Sequence, residues 1–287
     1  MTTGDISQTF NAMFDATVKE AYQRNGPLLL PCVRQKTVLG ASSIQFVKTG
    51  TGTAGAKGRH AVLPKLNLDH TPAIATMADY GLSELIDKLD EMKTNIPERM
   101  VVANAIAKAL GRRVDQTIIT AADAAVTATS YSTTITMTSS VTIKNAWILA
   151  RQALAERFVP TTEGGMYAIV SPSIFSALME LDQFANSQWT GSADVFPNAN
   201  LSGRTWMGAH WIEHTGLTKS TNTRKGFFLH KEALGLGMSQ EPTTDIQWDA
   251  ERWTNVVAGV VSVGAVAIDS EGIQGLSLDE SVTLPTS

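Results

Sequence analysis

From Pro97 to about Ala125 the chain holds no second proline and one glycine, Gly111. Val102, Ile106, Leu110, Val114 and Ile118 recur every four residues, with Ala103, Ala107 and Ala121 among them. This spacing predicts one long amphipathic helix whose small residues allow close packing. Pro97 suits its first turn, where a missing N–H is harmless. At 1.5 Å per residue the helix would run roughly 43 Å. In a chain of 287 residues it is a structural beam.

The segments before it lack a core of their own. Residues 5 to 23 read as an amphipathic helix carrying Phe10, Met13 and Phe14, and Asn25-Gly26-Pro27 end it. Leu28 to Pro31 then run extended, so the N-terminus reads as an arm. Residues 41 to 48 alternate as a strand, the Gly-rich TGTGTAGAKG follows, and residues 59 to 70 resume an extended pattern with Pro64 inside. A two-stranded ribbon with a flexible tip fits, and Pro64 places its strand at an edge. Such a ribbon is barely stable alone in water and must lie against something. Residues 72 to 80 give another strand, and Ser83 is expected to cap a short acidic helix ending near Lys93.

Beyond the beam, residues 126 to 143 are rich in Ser and Thr and read as a linker or a strand-containing crossover. A second unit follows. A helix is expected from Ile143 to Arg157, a short strand from Met166 to Val170, and a helix from Ser171-Pro172 to about Leu181. Residues 183 to 203 are loop-like. Trp206 to Gly216, Gly226 to Leu236 and much of Thr244 to Leu276 read as strands.

Composition narrows the function classes. Charged residues make up only 17% of the chain, where about a quarter is usual. A chain so short of charge has little solvent-facing surface or hides it against partners. The net charge of −4 argues against a dedicated nucleic-acid binder. A lone cysteine, Cys32, excludes an internal disulfide and a Cys-based zinc site. No signal-peptide pattern opens the sequence and no apolar stretch is long enough to span a bilayer, so a soluble chain made in a reducing compartment is expected.

Charge is also segregated. Residues 34 to 70 hold six cations against Asp69, residues 79 to 98 six carboxylates against two lysines, and residues 237 to 287 eight carboxylates against Arg252. Two readings stand. The segments are solvated faces of differing sign, or a basic segment of one copy meets acidic segments of another.

Motifs that would carry chemistry fail in context. Gly50 to Gly55 matches GxGxxG, but the dinucleotide reading requires a helix immediately after it, and an extended, proline-bearing stretch follows. His210, Glu213 and His214 match HxxEH, which binds zinc only on a helix. The Trp- and Ile-rich context predicts a strand, which would hold the two histidines about 13 Å apart. Cys32, between Pro31 and Val33, reads as a small buried hydrophobe. No catalytic, cofactor-binding or metal-binding residue is expected.

The order of parts resembles the major capsid protein of tailed bacteriophages, with the coat fold named for phage Hong Kong ninety-seven. The strongest carriers are ALAERFVPTTEGGMYAIVSPSIFSALMELDQFAN (154 to 186), GRTWMGAHWIEHTGL (203 to 217) and FFLHKEALGLG (227 to 237). The resemblance implies an α+β fold with an N-arm (1–35), an extended β-hairpin loop (36–72), a peripheral domain (73–137 and 246–287) with a spine helix at about 97–125, and an axial domain (138–245). The loop around 187 to 203 would be its tip.

The function implied is a structural shell protein that self-assembles as hexamers and pentamers into an icosahedral head around double-stranded DNA, read without sequence recognition. It implies a portal and, because no long N-terminal extension precedes the arm, a separate scaffolding protein. It implies no cofactor and no membrane, a place in the virion, and assembly in the host cytoplasm. Contacts between copies are expected to join Lys48, Lys57, Arg59 and Lys65 of the loop to Asp79, Glu84, Asp87, Asp90 and Glu91 of a neighbour. The alternatives are an encapsulin-like compartment shell and a metal-dependent hydrolase built on His210, Glu213 and His214.

Overall fold

The computed structural model describes residues 23, 26–93, 98–128, 135–137, 143–179 and 204–280. The expected N-terminal helix, the opening Asn95-Ile96-Pro97 and the 187–203 loop lie outside these residues. In chain order the elements are β1 (Arg34–Thr37), β2 (Ser43–Thr49), β3 (His70–Thr76), β4 (Ala78–Asp87), α1 (Lys88–Lys93), α2 (Glu98–Ala128), β5 (Ile135–Met137), α3 (Ile143–Glu156), β6 (Met166–Val170), α4 (Pro172–Met179), β7 (Arg204–Trp206), β8 (Ala209–Glu213), β9 (Lys219–Ser220), β10 (Thr223–His230), β11 (Leu234–Asp249), β12 (Thr254–Ala267) and β13 (Ile273–Asp279).

The expected beam is α2, 31 residues long. Its four-residue repeat does what the spacing requires: Ile106, Leu110, Val114 and Ile118 are buried against a four-stranded sheet of order β1-β11-β12-β4. Each such side chain contributes about 2 kcal/mol by leaving water. Arg113 lies 4.1 Å over the Tyr80 ring and ties the helix to the edge strand β4. The long hairpin β11–β12 forms the sheet's centre, with register shifts between Met238 and Gln240 and between Gln240 and Thr243.

A second sheet, of order β5-β13-β10-β6-β8-β7 with β9 beside β10, carries α3 and α4. Its core centres on Trp147, Trp211 and Phe228, whose ring centroids lie 4.7 to 5.6 Å apart at steep angles. β13 belongs to this sheet, and β11 runs without a break across residue 245.

Local expectations are corrected in four places. Leu28 to Pro31 do not run extended throughout, because Leu30–Cys32 form a single 3-10 turn. The ladder facing β2 is formed by residues 70 to 76, not 59 to 70. Ser83 caps no helix, because β12 offers β4 ladder partners all the way from Ala78 to Asp87. Asp87 is the residue that accepts from the Leu89 amide, at 2.7 Å, as α1 begins. Finally, Trp206 to Gly216 is not one strand. Met207 and Gly208 turn at positive φ, making the hairpin β7–β8.

Candidate functional site: the ribbon, its root and the acidic edge

The ribbon is built from its root outward. Phe46 of β2 is fully buried over Gly235 of β11, where a Cβ would stand only 2.7 Å from the ring. The Lys36 ammonium lies over the same ring, 5.2 Å from its centroid. Lys48 reaches Asp269 at 2.7 Å and Glu271 at 3.9 Å. The root is therefore held on its own chain by the Phe46 plug, by Ile44 over Gly237 and by the Lys48 ion pairs.

Beyond the root the ribbon loses support. Every residue from Thr49 to Pro72 is exposed. The Gly50 amide donates to the Asp69 carbonyl at 2.8 Å, Gly52 lies against Leu66 and Gly55 against Pro64, and the chain reverses at Gly58–Ala61. Val62 and Leu63 are 89% and 68% exposed. Lys57, Arg59 and Lys65 make no ion pair among the described residues. The GxGxxG stretch is thus one arm of this ribbon, with no helix after it.

The acidic residues expected to face a neighbour have divided fates. Asp79 accepts from the Ser262 hydroxyl at 2.5 Å and Asp87 caps α1. Asp90 pairs with Lys93 at 3.0 Å. Glu91 takes Lys88 at 2.9 Å and Arg99 at 2.6 Å, and these partners, Lys88 foremost, hold its carboxyl below the usual range. Glu84 is exposed on the edge strand. The structure brings these carboxylates to one region, β4 and α1, but does not bring the ribbon cations to them within the chain.

The junction of arm, beam and second sheet carries a polar cluster that the sequence did not reveal. The buried Asp115 carboxylate of α2 accepts from the Leu28 and Leu29 amides at 3.0 Å each. His214, also buried, lies 3.4 Å from Asp115 through Nε2, while its Nδ1 accepts from the Gly216 amide at 3.1 Å. That pair of bonds fixes the proton on Nε2. Cys32 lies nearby, and burial, with the Asp115 charge adding to it, pushes its thiol up to about 12.

HxxEH does not converge. It lies on β8 and the residue after it; His210 faces Thr205 across the β7–β8 hairpin at 3.3 Å, and His214 is committed to Asp115. Burial lowers the His210 imidazole from its ordinary value. Among the described residues no three His, Cys, Asp or Glu side chains are grouped to hold a metal. No described helix is long and apolar enough to cross a membrane.

Comparison with known proteins agrees with this architecture. The fold matches the capsid of the cyanophage P-SCSP1u with a TM-score of 0.72 at 15% identity, over 95% of this chain and 93% of that one. It matches the capsid of Ralstonia phage GP4 at 0.70 and 11% identity, over 99% and 98%. The capsid of cyanophage Pam1 gives 0.70 at 12% identity, over 99% and 100%. At these identities the likeness is one of fold. No curated protein matches the chain. The model of the phage capsid protein family matches residues 6 to 280. The chain therefore belongs to the phage capsid protein family, and it is a structural protein of the capsid.

Proposed function

We propose that this chain tiles the icosahedral head shell of a tailed phage as hexamers and pentamers, and that each copy's ribbon lies over the next copy. The observation that carries this is the unbroken exposure of residues 49 to 72. Exposed Val62 and Leu63 cost free energy in water and call for a cover. The cover is a second copy, because Lys57, Arg59 and Lys65 find no carboxylate among the described residues. Lys57, Arg59 and Lys65 face the edge marked by Asp79, Glu84 and Asp87, while Lys48, Asp90 and Glu91 chiefly serve ion pairs of their own chain.

The remaining partners follow from the same reading. The shell closes in the host cytoplasm on a separate scaffolding protein, joins a portal, and encloses double-stranded DNA without reading its sequence. The test is a triple charge swap, Lys57→Glu, Arg59→Glu and Lys65→Glu, followed by electron microscopy of particles at rising salt. Loss of rings and shells is expected. Unchanged assembly and unchanged salt resistance would sink the reading.

A further inference from the structure

The Asp115 carboxylate is shared by two distant parts of the chain. On the arm side its Oδ1 accepts from the Leu28 and Leu29 amides, and the Leu28 amide also lies 3.2 Å from Oδ2. On the other side Oδ2 faces His214 Nε2 at 3.4 Å, and both side chains are shut off from solvent.

His214 opens a loop that belongs to the second sheet but lies on the beam. It directly follows β8. Its amide donates to the Val170 carbonyl at 2.9 Å, which carries the β6–β8 pairing one residue further. Leu217 is buried in the same cluster as Val114, Ile118 and Ile119 of α2. The Thr218 hydroxyl donates to Asp123 Oδ2 at 2.5 Å. Asp115 and Asp123 stand about 12 Å apart along the helix. The loop 214–218 is thus fastened to α2 at both ends, and one of those fastenings is also the seat of the arm.

A buried carboxylate keeps its charge only while donors replace the water it has lost. The donors on Asp115 therefore support one another. Leu29 is itself fully buried, so lifting the arm removes two amides and opens a way for water. Water then competes for the bond from His214. The reverse also holds. Without His214 the carboxylate is poorly compensated, draws in water and loosens its hold on Leu28 and Leu29. Such a coupling is a free energy shared by two sites, so it acts equally in both directions.

We propose that the arm is a strap that locks the end of β8 onto the beam, with Asp115 as the common anchor. A pull on the chain ahead of Leu28 loosens His214 to Thr218, and a shift of that loop frees the arm. The fit of the second sheet on the beam thereby depends on whether the arm is seated. The proposal stands apart from the ribbon reading and survives its failure.

Hydrogen exchange of the full chain tests it from both ends, with exchange in β12 as the measure of global stability. Leu29→Ala loosens the arm and leaves the hydrogen-bonding groups of the cluster in place. Relative to β12, it is expected to quicken residues 214–218 roughly tenfold, the low end for a bond to a charged group. His214→Met and His214→Gln have similar bulk, but only the glutamine donates to Asp115. His214→Met is expected to quicken residues 28–33 by a similar factor, and His214→Gln to keep most of their protection. If His214→Met does not fold, Leu29→Ala decides alone. Unchanged exchange at 214–218 in Leu29→Ala overturns the proposal. Equal exchange at 28–33 in the methionine and glutamine variants overturns it too, since His214 would then act by filling space.

Discussion

Gly26 crosses Gly111 backbone to backbone. A Cβ on Gly111 would stand 2.5 Å from the Gly26 carbonyl oxygen, and one on Gly26 would stand 2.7 Å from the Gly111 carbonyl carbon. The arm touches the beam at the one place where the helix has no side chain. In an exposed helix, Gly→Ala stabilises by about 1 kcal/mol. Here the sign reverses. Gly111→Ala is expected to destabilise by about 2 kcal/mol, because backbone rather than a flexible side chain must move. Chemical denaturation midpoints at constant m-value check it.

One turn along, Asp115→Ala removes the acceptor for Leu28 and Leu29 and leaves both amides short of a partner. The expected cost is about 3 kcal/mol. The arm should also open locally, so hydrogen exchange at residues 28 to 33 should quicken more than exchange in β10. A uniform change across both segments would argue against a local latch.

Phe46→Ala empties the space over Gly235. A loss of about 3 to 4 kcal/mol is expected from the cavity. Lys48→Ala, which removes a pair with about a third of each side chain exposed, should cost under about 1 kcal/mol. Thermal melts of the two variants rank the plug against the ion pair, and an equal loss would contradict this assignment.

Cys32 is expected to resist modification. With its thiol pushed up to about 12, only about one molecule in ten thousand carries a thiolate at pH 8. A thiol reagent should react only as the chain unfolds. The linkage has a definite sign. The thiol ionises near the ordinary 9.0 when unfolded and near 12 when folded. Its contribution is full below pH 9 and is lost as pH rises from 9 towards 12. Unfolding measured against pH should steepen in that window, and Cys32→Ala should remove the extra slope.

Much of this fold was legible in the sequence. The beam could be read from Val102 through Ile118 because helix periodicity is local. The ribbon's flexible reversal could be read from its glycines, but its second strand was placed too early: the Pro64 segment carries no ladder, and residues 70 to 76 pair with β2 instead. Ser83 misled, because whether residues 83 to 87 continue as a strand is settled by β12, about 170 residues away. Asp115 was invisible for the same reason: its partners lie 86 and 99 residues off. Gly111, a lone glycine in an otherwise continuous helix, was the available signal for the crossing. For the charged segments, composition shows the sign of each but not which charges are already paired at home, as Lys48, Asp90 and Glu91 are.

The ribbon's aim is set far from its tip. The plug of Phe46 over Gly235 fixes the root, and the tip lies about ten residues, on the order of 30 Å, farther out. A ten-degree error at the root would displace the tip by about 5 Å by simple leverage. A mutation beneath the root can therefore block assembly without altering any residue that one subunit shows another. Genetic screens for assembly-defective, temperature-sensitive heads should return such changes at Gly235 and Phe46, and second-site suppressors should arise along β11 rather than on the opposing subunit.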